Sequence, residues 1–238
     1  MKYDKEIQTQ YGFIHGSKTL VFIKTGRGGS VYGYQDKYVR ISHAINDRFG
    51  YSVCVSANPP QRESNLSEEI AFVNQEQQIN DIYFIGVSNG ALVGAQQGYR
   101  ESRIKGMLLI NGPLMINWYK TRKGIEAFCG KSVRMLYGER DPSVRYIELL
   151  DLIRSDVLHY AICEGADHHF AGKENYFNRD LIPVSYTHLD VYKRQHMHCP
   201  SKYGNLLLPV SDWQSGELSH HCSSIPVGWN ILEHTRFL

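Results

Sequence analysis

The first 183 residues alternate short apolar runs with amphipathic segments, and this alternation limits the possible folds more than any other feature of the chain. The apolar runs are rich in β-branched and aromatic residues, which is typical of strands buried in a largely parallel sheet. They predict six strands, at 19–24, 51–57, 82–87, 106–110, 133–137 and 157–163, and a weaker edge strand at 9–15. Helical periodicity predicts helices at 36–49, 67–79, 89–100, 114–128 and 144–154, the second of them capped by Ser67. Regular alternation of strand and helix predicts a doubly wound, mostly parallel sheet in a three-layer α/β/α fold.

Composition and charge narrow the classes of function. The 238 residues carry a formal net charge of +2 with no basic stripe, which argues against a nucleic-acid partner. A polar start and the absence of any run near the ~18 apolar residues of a membrane span favour a cytoplasmic protein without a membrane partner. Five scattered cysteines without a CxxC pair are typical of reduced thiols and not of a zinc site. We therefore expect a small-molecule substrate and neither a metal nor another cofactor, with the oligomeric state left open.

The alternation stops at Pro183. Residues 184–195 read VSYTHLDVYKRQ, which resembles the translation of a sequencing adapter made of two transposase mosaic ends joined head to head. Codons for these residues, with a preceding CT that Pro183 permits, can be written as DNA that is its own reverse complement. We therefore interpret 1–183 as the folded domain, 184–195 as an adapter-derived artefact and 196–238 as an unrelated or out-of-frame tail that does not belong to the fold. An authentic C-terminal extension is the alternative.

The tail holds five of the eleven histidines and two of the five cysteines, which are zinc-ligand types. The cluster consists of His196, His198, Cys199, His220, His221 and Cys222. Its spacing matches no compact metal motif. Accidental composition is therefore the preferred interpretation.

Ser88 lies in the sequence GVSNG, directly after the predicted strand 82–87 and at the start of a predicted helix. A serine on a sharp strand-to-helix turn sits in a strained conformation that exposes its hydroxyl, and Gly86 and Gly90 remove Cβ atoms that would collide there. The following helix also directs free N–H groups toward developing negative charge. The pattern alone arises by chance, but its placement favours a catalytic nucleophile over a structural turn.

A general base is expected in the segment 164–170, which follows the last predicted strand. A serine hydroxyl is a weak nucleophile until an imidazole takes its proton. His168 is the preferred candidate and His169 the less favoured one. A solvated surface histidine pair is the alternative.

The orienting carboxylate is assigned to Asp141, just after the predicted strand 133–137. Its task would be to accept a hydrogen bond from the imidazole and fix its tautomer. An ordinary turn aspartate before proline is the alternative, and Asp167 and Glu164 are less suitable acids because they lie so close to His168 in sequence. The acid and the base follow Ser88 in the chain order typical of this kind of site, each at the end of a predicted strand.

The glycine-rich segment 24–30 follows the first predicted parallel strand. Backbone N–H groups of Gly26 and Arg27, together with that of Asn89, are candidates for an oxyanion hole. A phosphate-binding loop is the rival interpretation, but the segment lacks the Walker spacing and its Lys-Ser/Thr ending. The Arg27 side chain either attracts an anionic group of a substrate or is simply solvated.

Over residues 7–183 these motifs resemble the α/β-hydrolase superfamily, and 165–168 resemble the histidine loop of its small dienelactone-hydrolase-like and esterase-like members. The resemblance implies a carboxylic-ester or thioester hydrolase that forms an acyl-enzyme on Ser88 with a small acyl substrate. The alternatives are a binding protein on the same fold with little turnover, and a peptidase or lyase with the same triad. The segment 112–132 has room for one helix and no cap domain, which implies an open cleft. Trp118 and Tyr119 either line this cleft or pack.

Overall fold

The computed structural model describes residues 1–61 and 63–170 and contains one eight-stranded sheet. The strands are Lys5–Ile7 (β1), Tyr11–Ile14 (β2), Ser17–Lys24 (β3), Tyr51–Ser56 (β4), Asp81–Val87 (β5), Ile104–Ile110 (β6), Ser132–Gly138 (β7) and Leu158–Cys163 (β8). Their spatial order is β1-β2-β4-β3-β5-β6-β7-β8, with β3 to β8 all parallel. β2 is antiparallel to β4, and β1 is antiparallel to β2. The predicted doubly wound, mostly parallel sheet is confirmed.

All six predicted parallel strands and the edge strand are present, whereas β1 was not predicted. β1 has only three residues, two of them charged and exposed, so it carries no apolar run. The proposed adapter at 184–195, the tail at 196–238 and its histidine and cysteine cluster lie outside the described residues.

In the described part of the chain, four α-helices connect the strands: Lys37–Phe49 (α1), Leu66–Glu76 (α2), Asn89–Gln97 (α3) and Trp118–Glu126 (α4). The predicted cap of α2 was wrong, because Asn65 and not Ser67 accepts a hydrogen bond from the Glu68 N–H. α4 begins four residues later than predicted, after Asn117 adopts a left-handed conformation and accepts from the Lys120 N–H.

The helix predicted at 144–154 was also wrong in type, because Pro142–Leu152 forms a 3₁₀ helix. Within it only Leu150 is buried, so the segment has no continuous apolar stripe that would pack a full α-helix against the sheet. Proline stands at its first position, and the Asp141 side chain caps it by accepting from the Ser143 N–H.

Alternate residues of the central strands point into two separate apolar cores, one on each face of the sheet. Phe22 and Phe84 stack on one face, in the core that α2, α3 and α4 cover. Val21 and Ile85 lie on the other face, in the core that α1 covers. The three predicted layers are therefore present. Between β6 and β7 the chain forms α4 and no cap domain.

Within residues 1–61 and 63–170, no helix has the length and apolar character that crossing a membrane requires.

Candidate active site

Ser88 occupies the turn between β5 and α3 in a strained backbone conformation, with φ 54° and ψ −118°. Few residues other than glycine adopt a positive φ, and such strain persists only where the surroundings enforce it. Here the Ser88 N–H donates to the Ile110 carbonyl at 2.7 Å, while the Ser88 carbonyl accepts from Ala91 and Leu92. The turn is thereby fixed between β6 and the first turn of α3, and Ser88 remains half-buried.

Gly86 and Gly90 stand where the backbone passes too closely for a side chain. A Cβ on Gly86 would lie 2.5 Å from the Gly90 carbonyl oxygen, and one on Gly90 would lie 2.2 Å from the Lys24 carbonyl oxygen. Real Cβ atoms essentially never approach other heavy atoms so closely. Both glycines therefore allow the close contacts that form the Ser88 turn.

The glycine-rich loop after β3 passes beside Ser88. A Cβ on Gly26 would lie 3.3 Å from the Ser88 Cβ. Among the described residues, none accepts a hydrogen bond from the backbone N–H of Gly26, Arg27 or Asn89. The Arg27 side chain is exposed, and its Nη2 donates to the Pro60 carbonyl at 3.3 Å. Gly26, in the glycine-rich loop, therefore lies beside the turn that carries Ser88 and Asn89.

His168 and Asp141 are hydrogen-bonded through Nδ1 of the imidazole and Oδ2 of the carboxylate. The Asp141 side chain is fully buried, whereas that of His168 is 40% exposed. Because a carboxylate only accepts, Nδ1 is the donor in this bond, and in a neutral imidazole this tautomer makes Nε2 a proton acceptor. The second oxygen, Oδ1, accepts from the Ser143 N–H at 2.6 Å, which holds the carboxylate in place.

The structure thus brings the predicted acid and the predicted base together, but no described hydrogen bond joins Ser88 Oγ to His168 Nε2. In enzymes without bound substrate such bonds are often long and tighten only in the complex. The alternative acids are placed less favourably, since Glu164 is exposed and Asp167 Oδ1 accepts from the His169 N–H.

Tyr137 lies in β7, the strand that precedes the turn with Asp141. Its hydroxyl donates to the Gly112 carbonyl at 3.2 Å, and its ring is completely buried at the end of β7. Burial and the nearby Asp141 carboxylate raise the pKa of Tyr137 well above its usual range. The phenol therefore stays neutral and keeps its donor role throughout the neutral pH range.

Asn111, which was not predicted as a site residue, connects the end of β7 with the loop that carries His168. It is fully buried at the end of β6 and has a positive φ of 49°. Its Nδ2 donates to the carbonyls of His168 and Asp167, at 2.9 and 3.3 Å. Its Oδ1 accepts from the Gly138 N–H at 2.8 Å.

Asn58 has an equivalent place on the other side of Ser88 and was also missed. It is 2% exposed just beyond β4, and its Nδ2 donates to the Thr25 carbonyl and to Asn89 Oδ1. Both asparagines follow an apolar strand at its carboxyl end, where this class of sheet places its functional groups. That position was the available signal, although it does not reveal what the side chains bond.

Trp118 and Tyr119, the first two residues of α4, lie in different environments. Trp118 packs against the apolar core, whereas Tyr119 is 74% exposed. Packing is therefore the role that the structure gives to Trp118. Within the part of the chain that the structure describes, no group of three or more histidine, cysteine or acidic residues is placed to hold a metal ion.

Comparison with solved structures places the sheet in the α/β-hydrolase fold. An alpha-beta serine hydrolase homologue from Coxiella burnetii matches with a TM-score of 0.58 at 14% identity, over 77% of this chain and 98% of that one. The esterase domain of a Rhodothermus marinus protein matches with a TM-score of 0.57 at 10% identity, over 70% of this chain and 85% of that one. The thioesterase domain from the curacin biosynthetic pathway matches with a TM-score of 0.54 at 11% identity, over 74% and 97%. No protein-family model and no curated protein matches the sequence.

Proposed function

We propose that this chain is a serine hydrolase that cleaves carboxylic esters or thioesters through an acyl-enzyme intermediate. The observation that carries the proposal is the hydrogen-bonded Asp141–His168 pair at the same edge of the sheet as the strained Ser88 turn. Such a pair gives an imidazole whose Nε2 is a proton acceptor, which is what a serine nucleophile requires.

In the acylation step, Ser88 Oγ attacks the substrate carbonyl carbon while His168 Nε2 takes the hydroxyl proton. The resulting imidazolium is stabilised by the buried Asp141 carboxylate. The carbonyl oxygen becomes an oxyanion, for which the N–H groups of Asn89 and of Gly26 or Arg27 are the candidate donors. When the tetrahedral intermediate collapses, the bond to the leaving group breaks and His168 protonates the departing alcohol or thiol.

Deacylation uses the same groups in reverse. His168 takes a proton from water, the hydroxide attacks the acyl carbonyl, and the oxyanion is again held by backbone donors. Collapse of this second intermediate releases the carboxylic acid and returns the proton to Ser88 Oγ. No oxidant, reductant or cofactor enters the balance of this cycle.

Two observations support a small ester or thioester as the substrate. The half-exposed His168 and the single helix between β6 and β7 favour an open site in which a small acyl substrate meets Ser88 directly. Structures of the same fold include an esterase domain and a thioesterase domain. These similar structures support the class of substrate only.

Labelling with a fluorophosphonate probe, followed by turnover of p-nitrophenyl esters and of an acyl thioester, tests the proposal. The wild-type chain should be labelled at Ser88, and Ser88→Ala should lose labelling together with about 10⁴–10⁶-fold of the turnover. Ser102→Ala, at an exposed serine in the turn before β6, is the matched control and should behave like wild type.

A folded wild-type chain that the probe does not label contradicts the proposal. Ligand binding without turnover, unaffected by Ser88→Ala, would instead identify a binding protein on this fold. Faster cleavage of peptides than of esters would assign the same triad to a peptidase.

A further inference from the structure

The side chain of Asn58 uses both of its amide N–H donors and its carbonyl oxygen to connect two parts of the candidate site. Its Nδ2 donates to the Thr25 carbonyl at 3.1 Å and to Asn89 Oδ1 at 2.9 Å, and its Oδ1 accepts from Ser64 Oγ at 3.0 Å. Thr25 begins the glycine-rich loop, and Asn89 is the first residue of α3. One buried amide thus connects the two segments that carry the candidate oxyanion donors.

The main chain of Asn58 fixes the rest of the loop. Its carbonyl accepts from the Gly28 N–H at 2.6 Å, and its N–H donates to the Gly29 carbonyl at 3.1 Å. The loop closes on itself through the Gly29 N–H, which donates to the Gly26 carbonyl at 2.8 Å. The N–H groups of Gly28 and Gly29 therefore have acceptors within the protein, while those of Gly26 and Arg27 have no acceptor among the described residues.

The hydrogen bond to Thr25 also sets the direction of the Gly26 N–H. A peptide unit is planar and trans, so its carbonyl and its N–H point in opposite directions. Thr25 C=O and Gly26 N–H belong to one such unit, and Asn58 holds its carbonyl end. The N–H end consequently cannot rotate away while this bond persists, and Gly26 lies directly beside Ser88.

We propose that Asn58 is a positioning residue that aligns the Gly26 and Asn89 N–H groups for the oxyanion; this role rests on the proposed serine hydrolase function. Donors aligned in advance stabilise the charge of the tetrahedral intermediate without reorganising during the reaction. Asn58 touches neither Ser88 nor His168 through any described hydrogen bond, so it acts through the loop and α3.

Three variants separate this role from simple structural support. Asn58→Ala removes both donors, and Asn58→Asp keeps the acceptor for Ser64 while losing the donors to Thr25 and Asn89. Asn89→Ala removes one partner but keeps the Asn89 N–H and leaves the buried position untouched. The matched control is Asn46→Ala, since the Asn46 amide also donates to two carbonyls, those of His15 and Tyr51, near the opposite end of β4.

The experiment measures kcat and KM for p-nitrophenyl acetate, with active sites counted by exhaustive fluorophosphonate labelling. We expect Asn58→Ala and Asn58→Asp to lower kcat per labelled site by about 10- to 100-fold, with KM changed less than about threefold. Asn89→Ala should lower kcat to a smaller extent. When it is combined with Asn58→Ala, the two effects on kcat should not add, because both changes remove the same hydrogen bond between Asn58 and Asn89. Asn46→Ala should keep the wild-type kcat per site.

A structural role alone would lower the number of labelled sites and leave kcat per site unchanged, and this result overturns the proposal. Should Asn58→Ala yield no folded protein, an unchanged kcat in Asn89→Ala overturns it as well. An inert and unlabelled wild-type chain would overturn the serine hydrolase function itself, whereas an active wild type with unaltered variants overturns only the role of Asn58.

Discussion

Asn111 and His168 are joined by a hydrogen bond in which the Asn111 amide donates to the His168 carbonyl at 2.9 Å. The same side chain accepts from the Gly138 N–H, three residues before Asp141. One buried residue at the end of β6 therefore holds the histidine loop against the acid turn. The distance between the acid and the base depends on a residue that belongs to neither segment.

Asn111→Gly is predicted to lower both stability and activity. Glycine accepts the positive φ at this position, so the change removes the side-chain hydrogen bonds without adding backbone strain. Because the Gly138 N–H loses its buried acceptor, we expect a loss of about 1–3 kcal/mol in the free energy of unfolding by urea denaturation. Turnover should fall as well, since the histidine loop is no longer fixed. Asn117→Gly is the control, because Asn117 also has a positive φ but only caps α4. Equal effects of the two changes on activity would contradict the prediction.

Asp141→Asn is predicted to abolish most activity while leaving the fold intact. An amide at this position still accepts from the Ser143 N–H, but it does not fix the imidazole in the tautomer that leaves Nε2 free. The corresponding change in a Ser-His-Asp triad lowers kcat by about 10⁴-fold, and a loss of about 10³–10⁴-fold in ester turnover is expected here. The control is Asp167→Asn, whose side-chain oxygen still accepts from the His169 N–H. If instead Asp167→Asn is the inactive variant, the acid has been assigned to the wrong residue.

Much of the sheet and the placement of the three candidate site residues at strand ends could be predicted, because both depend on regular features of the sequence. Buried parallel strands require continuous apolar runs, and functional groups gather where such strands end. Ser88, Asp141 and His168 each follow a strand that the apolar pattern reveals. The glycine-rich segment follows β3 for the same reason.

The missed features depend on interactions that no local pattern contains. Asn58 and Asn111 matter because of carbonyl and N–H groups on other strands, and the sequence does not reveal which of these face an asparagine after folding. The 3₁₀ helix after Asp141 was mistaken for an α-helix because its apolar residues have helical spacing although only Leu150 becomes buried. β1 is stabilised by pairing with β2, which a three-residue polar segment does not signal.

Removal of residues 184–238 is predicted to leave activity unchanged. All residues assigned to the site precede residue 170, and the sequence from 184 to 195 resembles an adapter. Residues 184–238 therefore have no expected role in the chemistry. The measurement compares kcat/KM and thermal unfolding of the full chain with those of a chain that ends at Pro183. A chain that ends at Cys163 lacks His168 and serves as the inactive control. A large loss on removing 184–238 alone would assign a structural role to that segment, and the nucleotide sequence across Pro183 and His196 would show whether a mosaic-end palindrome is present.

Lys24 and Glu69 form a buried ion pair beneath the start of the glycine-rich loop, with both carboxylate oxygens 2.8 Å from the Lys24 ammonium and side-chain exposures of 2% and 8%. Lys24→Met is predicted to lower the free energy of unfolding by about 3–5 kcal/mol, because it leaves the Glu69 carboxylate buried without its counter-ion. Lys24→Met combined with Glu69→Leu should recover most of this loss, since neither charge then remains buried.

The exposed pair Lys105–Asp81 provides the control for Lys24→Met, with side-chain exposures of 37% and 49%. Water and salt screen an exposed pair, so Lys105→Met should cost no more than about 1 kcal/mol. Urea denaturation of the wild type and of four variants gives these differences in the free energy of unfolding directly. The variants are K24M, E69L, K24M/E69L and K105M. A double variant as unstable as the sum of its single variants would show that the two side chains are not coupled, so that burial of an unpaired charge is not the cause of the loss.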